Sequence, residues 1–225
     1  MALIGKSSVA GIQIGANTSD NRFRTGRFRL FRTLIDRVLA EKQSCSILDV
    51  GGTAEYWQAF GGDLPAKVKI TVANLHGDLP ENTQAMTFAR ADACAMPYDD
   101  NAFDLVHSNS VIEHVGLWDR QRAMANEIRR LAPRYFVQTP NYWFPVEPHC
   151  RTLFFHWLPE PMRASLLLRK DRGFWRRAED IGDATQSLQS AILLDRRQMR
   201  YLFPDAEIHR ERFMGLVKSM VAIRG

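Results

Sequence analysis

Residues 46–50 form a short apolar run, Ser-Ile-Leu-Asp-Val, that carries one acid and ends on Gly51-Gly52. A run this short with no polar alternation reads as a strand buried on both faces. The glycines after it read as a tight turn into a helix over 55–60. The rhythm recurs down the chain, with strands predicted at 68–73, 86–89, 103–108 and 135–139. A helix at 118–131 sets Met124, Ile128 and Leu131 on one face, with Pro133 just beyond its end. Ahead of the first strand, Phe28, Phe31, Leu34, Ile35, Val38 and Leu39 recur at helical spacing over 27–40, with Thr25 as its N-cap. Strand and helix in alternation imply a mainly parallel sheet with helices on both faces.

The C-terminal part changes this pattern. Asp195 caps a helix over 196–202, and strands at 207–213 and 217–223 are joined only by Met214-Gly215. So short a link makes the two strands antiparallel. Between the fifth strand and that helix, residues 142–192 break the alternation. They hold Tyr142, Trp143, Phe144, Phe154, Phe155, Trp157 and Trp175 among many arginines, and read as an aromatic, basic cap insertion with a helix near 161–169. The expected organisation is one α/β domain over 1–225, with an irregular N-terminal segment over 1–26 and the cap over 142–192.

Composition narrows the class. Of 225 residues, 45% are hydrophobic, and 13 Phe, 5 Trp and 5 Tyr are too many for a chain that stays disordered. Three cysteines, Cys45, Cys94 and Cys150, are too few and too oddly numbered for a disulfide scaffold. They read as thiols of a reducing compartment. No Cys-x-x-Cys or Cys/His spacing suggests zinc, so no metal is expected. No apolar run reaches 18 residues and the N-terminus is a poor signal peptide, which predicts a cytoplasmic protein. The net charge of +5 is a mild bias toward anionic partners and does not by itself argue for nucleic acid.

The ordered set Ile47-Leu-Asp-Val-Gly-Gly52, then Ala91 through Val115 (ADACAMPYDDNAFDLVHSNSVIEHV), then Arg129 through Asn141 (RRLAPRYFVQTPN), resembles the class I S-adenosylmethionine-dependent methyltransferases, in the style of the type 11 group. The resemblance covers roughly residues 30–141 and the C-terminal hairpin. It implies a Rossmann-like seven-stranded sheet, mainly parallel, with an antiparallel C-terminal strand. It further implies that Asp49, Gly51 and Gly52 form the first cofactor loop near the methionine part of S-adenosylmethionine. Asp92 would accept from the adenine amine, with the Ala93 N–H meeting a ring nitrogen. Asn74 stands at the ribose position, and Ser108 and Asn109 line the path to the sulfonium. Two departures stand out. Thr53 and Glu55 occupy positions where the family has glycines, and Asn74, with Asp78 nearby, replaces the ribose-binding acid.

His114 and His149 are the candidate general bases, since an imidazole titrates near neutrality; the alternative for His114 is a helix-face histidine bonded to backbone, and His149 lies just beyond the fifth strand, toward the active face. The aromatic set of the cap would wall an acceptor pocket or simply pack the cap's own core. Arg22, Arg24, Arg27, Arg29 and Arg32 crowd the first helix, and a second basic group runs from Arg163 to Arg177 beside Leu166–Leu168. The first is a solvated face or a contact to a phosphate-bearing substrate or a membrane surface, and the second an interfacial helix or an ordinary surface helix. The predicted reaction is methyl transfer to an O or N nucleophile of a small-molecule, lipid-linked or sugar-linked acceptor, releasing S-adenosylhomocysteine. The alternative is a non-catalytic binding module on the same fold with a weakened cofactor site. A nicotinamide oxidoreductase lacks its Gly-x-Gly-x-x-Gly here. Nucleic acid is disfavoured as a substrate, because Ser108-Asn-Ser-Val stands where amino-methylating enzymes of DNA and RNA carry Asn/Asp-Pro-Pro-aromatic.

Overall fold

The computed structural model describes residues 21–225. Helix α1 (Asn21–Glu41) is followed by β1 (Cys45–Val50), α2 (Ala54–Phe60), β2 (Val68–Asn74), β3 (Met86–Arg90) and β4 (Leu105–Asn109). A 3-10 turn (Ile112–His114) leads to α3 (Trp118–Leu131) and β5 (Arg134–Pro140). A small hairpin follows, β6 (Val146–Glu147) and β7 (Thr152–Leu153), then α4 (Glu160–Leu167), α5 (Ile181–Gln189), α6 (Arg196–Leu202), β8 (Glu207–Phe213) and β9 (Leu216–Arg224).

Seven strands form one sheet in the order β3-β2-β1-β4-β5-β9-β8. The first five are parallel, and β9 pairs antiparallel with both β5 and β8. Period-2 alternation divides the strands between two cores. Ile47, Leu105 and Phe136 point to the side covered by Phe31, Leu34, Ile35 and Val38 of α1. Leu48, Val106, Tyr135 and Val137 point to the side covered by Met124 and Ile128 of α3 and Met199 and Leu202 of α6. Helix α3 also has Asp119 in its first turn and Arg129 and Arg130 in its last, in the sense the helix dipole favours.

The chain runs outward from β1 through β2 to β3, then returns to β4 on the other side of β1. The crevice between β1 and β4 is therefore the switch point of the sheet, and ligands of open α/β sheets bind beyond the carboxyl ends of the strands there.

Helix α1 corrects the expected start. It begins by Asn21, so 21–26 are helical rather than irregular and Thr25 is not its cap. Contacts to the last hairpin hold this added turn, with Phe23 edge-on to Phe213 at 6.3 Å and Lys218 over the Phe23 ring at 4.5 Å. The remainder of the expected irregular segment, and most of its polar cluster at 17–21, lies outside the described residues. Between β5 and α6, the predicted helix near 161–169 is α4. It packs with α5 around Cys150, Phe155, Leu167 and Leu188, a third apolar cluster distinct from the two flanking the sheet. Among the described residues, no helix is long and apolar enough to cross a membrane.

Candidate functional site

At the end of β1 the chain turns through Gly51 at φ 74°, a backbone conformation natural to glycine. A Cβ on Gly51 would meet Val111 Cγ2 at 2.5 Å, and one on Gly52 would lie 1.6 Å from Asp49 Oδ2. The turn is thus pressed from both sides. Thr53, where the resemblance expects glycine, caps α2: its side chain accepts from Tyr56 N at 3.2 Å. Asn74, at the end of β2, donates Nδ2 to Gly52 O at 2.9 Å and so ties the turn to the neighbouring strand.

Asp49 is 1% exposed, and both its oxygens are taken from within. Trp57 Nε1 donates to Oδ2 at 2.6 Å, and His107 Nδ1 lies 2.7 Å from Oδ1. His107 stacks between Tyr56 and Phe136, with Phe31 against it. The carboxylate expected beside the methionine part of the cofactor therefore ties α2 and β4 to the end of β1, close beneath Gly52.

Asp92 follows β3. Its Oδ1 accepts from Cys94 N at 2.9 Å, and Arg120 Nη2 reaches both its oxygens at 2.8 and 2.9 Å. The Cys94 N–H first, then the Arg120 guanidinium, hold this carboxyl below the usual range. Ala93 beside it is half-buried. At the end of β4, Ser108 is fully buried and donates to Val50 O, while Asn109 Oδ1 accepts from Arg27 Nη1 at 2.8 Å. Ser110 takes φ 57° and is held by Gln138, through its N–H to the backbone oxygen and its hydroxyl to Oε1. Arg27 is not a solvated cation. It is 8% exposed, pairs with both oxygens of buried Glu211 at 2.9 Å, and also donates to Gln138 Oε1.

The two candidate bases are brought together. His114 comes from the 3-10 turn after β4 and His149 from the segment after β5, and their Nε2 atoms lie 3.2 Å apart. His114 Nδ1 is 2.7 Å from Ser190 O, and His149 Nδ1 is 2.7 Å from Glu147 Oε1. Glu147 is 2% exposed and accepts from Cys150 N through its other oxygen. Burial works against the His149 imidazolium, but the hydrogen bond and charge of Glu147 outweigh it and raise its pKa. Glu113 is fully buried beside the pair, with Thr139 Oγ1 on its Oε2. Of these groups, Glu113, Glu147, Arg27, Gln138 and Arg120 were not singled out in the sequence for roles here. Glu113 is adjacent to His114 and Glu147 lies two residues before His149, whereas Gln138 and Arg120 carry no local signal and Arg27 reads in the sequence only as one of a basic group.

The aromatic set divides as well. Phe155 is fully buried in the third core cluster, whereas Trp143, Phe154 and Trp157 are 62%, 49% and 39% exposed. Trp143 and Tyr142, together with Leu193, Asp195, Arg197 and Gln198, line an open cavity of about 420 Å³ beyond the end of β5.

Residues 48–134 match the family model described as a methyltransferase domain. No curated protein matches the chain. Among solved structures, the CurJ carbon methyltransferase aligns with a TM-score of 0.52 at 10% identity, covering 88% of this chain and 54% of that one. This chain thus spans about half the length of that structure. A possible exported protein from Bordetella parapertussis aligns at 0.53 with 14% identity, covering 90% and 67%. The N-terminal domain of EvdMO1, solved with SAH and D-fucose, aligns at 0.51 with 14% identity, covering 91% and 83%. At these identities the structural likeness speaks to the fold.

The residues present fit S-adenosylmethionine in their donor and acceptor chemistry. Gly51 and Gly52 present main chain with no room for a side chain. Asn74 spends its amide nitrogen on Gly52 and keeps Oδ1 to accept from a ribose hydroxyl. Asp92 has about four lone-pair sites, of which Cys94 and Arg120 use three, leaving one for an exocyclic amine.

Proposed function

We propose, from the match of residues 48–134 to a methyltransferase-domain model, that the chain is a class I S-adenosylmethionine-dependent methyltransferase that transfers a methyl group to an O or N nucleophile of a small-molecule, lipid-linked or sugar-linked acceptor. The observation that carries this reading is the pairing of His114 and His149 at the carboxyl ends of β4 and β5. That is the side of the sheet on which the glycine turn of β1 would hold the cofactor. When bound, the cofactor supplies an electrophilic methyl group on a sulfonium that leaves as a neutral thioether.

The chain's own residues then divide the work. Gly51 and Gly52 bind through main chain, Asn74 Oδ1 takes a ribose hydroxyl, and Asp92 takes the adenine amine. Ser108, on Val50 O, and Asn109, on Arg27, hold the end of β4 in place beside the glycine turn. The histidine pair is where the acceptor's proton is handled, with Glu147 fixing the His149 ring and Ser190 O fixing His114. Trp143 and Tyr142, beside the open cavity, offer apolar faces to the acceptor. Most of the rate would come from in-line placement in a site that excludes water.

A second reading has its own support. Asp49 and Asp92 both carry intramolecular partners, which favours a binding module of the same fold with reduced cofactor affinity. A thermal melt with S-adenosylmethionine, S-adenosylhomocysteine and NAD separates the two. At 100 times the dissociation constant a ligand adds about 2.7 kcal/mol, or about 5–10 °C here. A rise with the first two alone supports the transferase. No rise with any of the three supports the weakened module.

A further inference from the structure

The two histidines face one another through bare nitrogens. Ser190 O can only accept, so His114 Nδ1 carries the hydrogen. Glu147 is likewise an acceptor for His149 Nδ1. A neutral imidazole has one N–H, which leaves a lone pair on each Nε2. At 3.2 Å those lone pairs repel unless a positive centre lies between them. Beside them, Glu113 is fully buried and its Oε1 has no hydrogen-bond partner among the described residues. A buried carboxylate oxygen without a partner is costly. Glu113, His114 and His149 each offer one ligand atom, a carboxylate oxygen and two ring nitrogens, and these lie within 4.8 Å of one another. A single shared proton would quiet the nitrogens and leave Oε1 orphaned, whereas a cation satisfies all three.

We propose that His114 Nε2, His149 Nε2 and Glu113 Oε1 bind a divalent transition-metal cation of the Zn2+ type, with at least one coordination position open to the methyl acceptor. Two ligands about 2.0–2.1 Å from one ion at the tetrahedral angle stand about 3.3–3.4 Å apart, close to the observed spacing of the nitrogens. Two histidines and one carboxylate are a set that leaves a coordination position free. The supporting shell is also present: Glu147 behind His149, the Ser190 carbonyl behind His114, and Thr139 on the far oxygen of Glu113. Such partners fix the ring orientation and raise ligand basicity. His149 is further held by stacking on Trp175, with ring centroids 5.9 Å apart and planes 11° from parallel.

The consequence for chemistry rests on the transferase reading above; the metal site itself does not. A hydroxyl of the acceptor in the open position would lose its proton to solvent, because a bound cation lowers its pKa. The resulting oxygen forms a C–O bond to the methyl carbon as the S–C bond breaks and its electron pair stays on sulfur. The pair then acts as ligands rather than as free bases, and the acceptor is an oxygen nucleophile.

The test uses the full chain, stripped with a chelator. It is titrated with Zn2+ against a chromophoric competitor, and separately with Co2+, whose visible bands report the ligand set. The expected result is saturable binding of one ion per chain. His149→Ala and Glu113→Gln should each weaken it at least tenfold, and Glu147→Gln by about 10- to 100-fold, with far-ultraviolet circular dichroism unchanged. Wild-type protein with no saturable binding overturns the proposal, as does unchanged affinity in folded His149→Ala. If the variants fail to fold, the ring-nitrogen NMR shifts of wild-type His114 and His149 decide: no movement on adding Zn2+ overturns it. S-adenosylhomocysteine binding to the stripped protein tests the transferase reading separately.

Discussion

Asp49, the acid expected in the first cofactor loop, can serve as an internal anchor or as a ligand contact, and the structure gives the size of the difference. Replacing it with alanine removes the acceptor for two buried donors, Trp57 Nε1–H and His107 Nδ1–H. Neither has a stronger alternative: the nearest contact of His107 is Tyr56 Oη, 3.5 Å from the other ring nitrogen. A buried donor left unpaired costs about 1–3 kcal/mol, so Asp49→Ala should lose about 2–6 kcal/mol. For a chain of this size that lowers Tm by about 4–24 °C. Asp49→Asn should behave differently. Its oxygen still accepts from Trp57, and its amide turns toward His107, which can take the other tautomer and accept at Nδ1. That exchange costs about 1 kcal/mol, the worth of one ordinary hydrogen bond. Urea unfolding of the two variants, paired with calorimetric titration of S-adenosylhomocysteine, measures both quantities. Stability should fall modestly in Asn and steeply in Ala, while the Asn variant keeps its affinity within about tenfold. An Ala variant that loses less than about 1 kcal/mol refutes the internal anchoring. So does an Asn variant of normal stability whose affinity falls a hundredfold, about 2.7 kcal/mol, because Asp49 would then touch the ligand itself.

Three further outcomes follow from the same geometry. Arg27→Ala strands the buried Glu211 carboxylate and should cost about 3–5 kcal/mol in urea unfolding, whereas Arg27→Met with Glu211→Gln should recover much of it; equal losses in both refute a buried pair. Burial pushes the thiols of Cys45 and Cys150 up to about 12 and also raises Cys94, so at about pH 8 a thiol reagent should leave the native chain almost untouched and reach all three cysteines on unfolding; fast native reaction at Cys45 or Cys150 contradicts it. Asp92 has a folded pKa below its unfolded value of about 3.9, first through the Cys94 N–H and then through Arg120, so its contribution is complete above about pH 4 and fades as pH falls through the lower folded value; S-adenosylhomocysteine affinity lost by Asp92→Ala should therefore be the same at about pH 5 and pH 8, and a difference that grows with pH across that range rejects Asp92 as the acceptor.

The fold was legible where local patterning and tertiary burial agree. The central strands carry continuous apolar runs because β1 and β4 are flanked by strands on both edges and covered on both faces, so the predicted boundaries fall within a residue or two of those observed. Helix α6 was readable to the residue, since Asp195 and Gln198 form a reciprocal capping box. The start of α1 was not, because the turn before Arg27 is held by Phe213 and Lys218, about 190 residues away in sequence. Helix α5 escaped notice although Asp180 is its N-cap and Ala184 and Leu188 are its buried face. Gly182 and a polar remainder dilute that signal, and only the packing of α4 against it makes the segment helical.

The site shows a different kind of limit. The positions expected to meet the cofactor, Gly51, Asn74 and Asp92 among them, sit at strand ends, which the alternation of strand and helix locates. What each side chain faces is decided by the neighbouring strand. Asp49 turns away from the crevice because residue parity sets it on the α1 side with His107, its register partner on β4. The cluster at the acceptor end lies further from what spacing can express. Glu113 and His114 are adjacent, and His149 follows 35 residues after His114, beyond α3, β5 and β6. An expectation of no metal drawn from cysteine spacing could not register it. The chelating distance arises because β4 and β5 are parallel neighbours. The segments leaving their carboxyl ends therefore emerge on one side of the sheet. Ser190, at the end of α5, then fixes His114 from the opposite direction. The segment between β5 and α6 thus supplies His149, Glu147 and the Ser190 carbonyl together, which ties the arrangement of the acceptor end to that segment more than to the sheet beneath it.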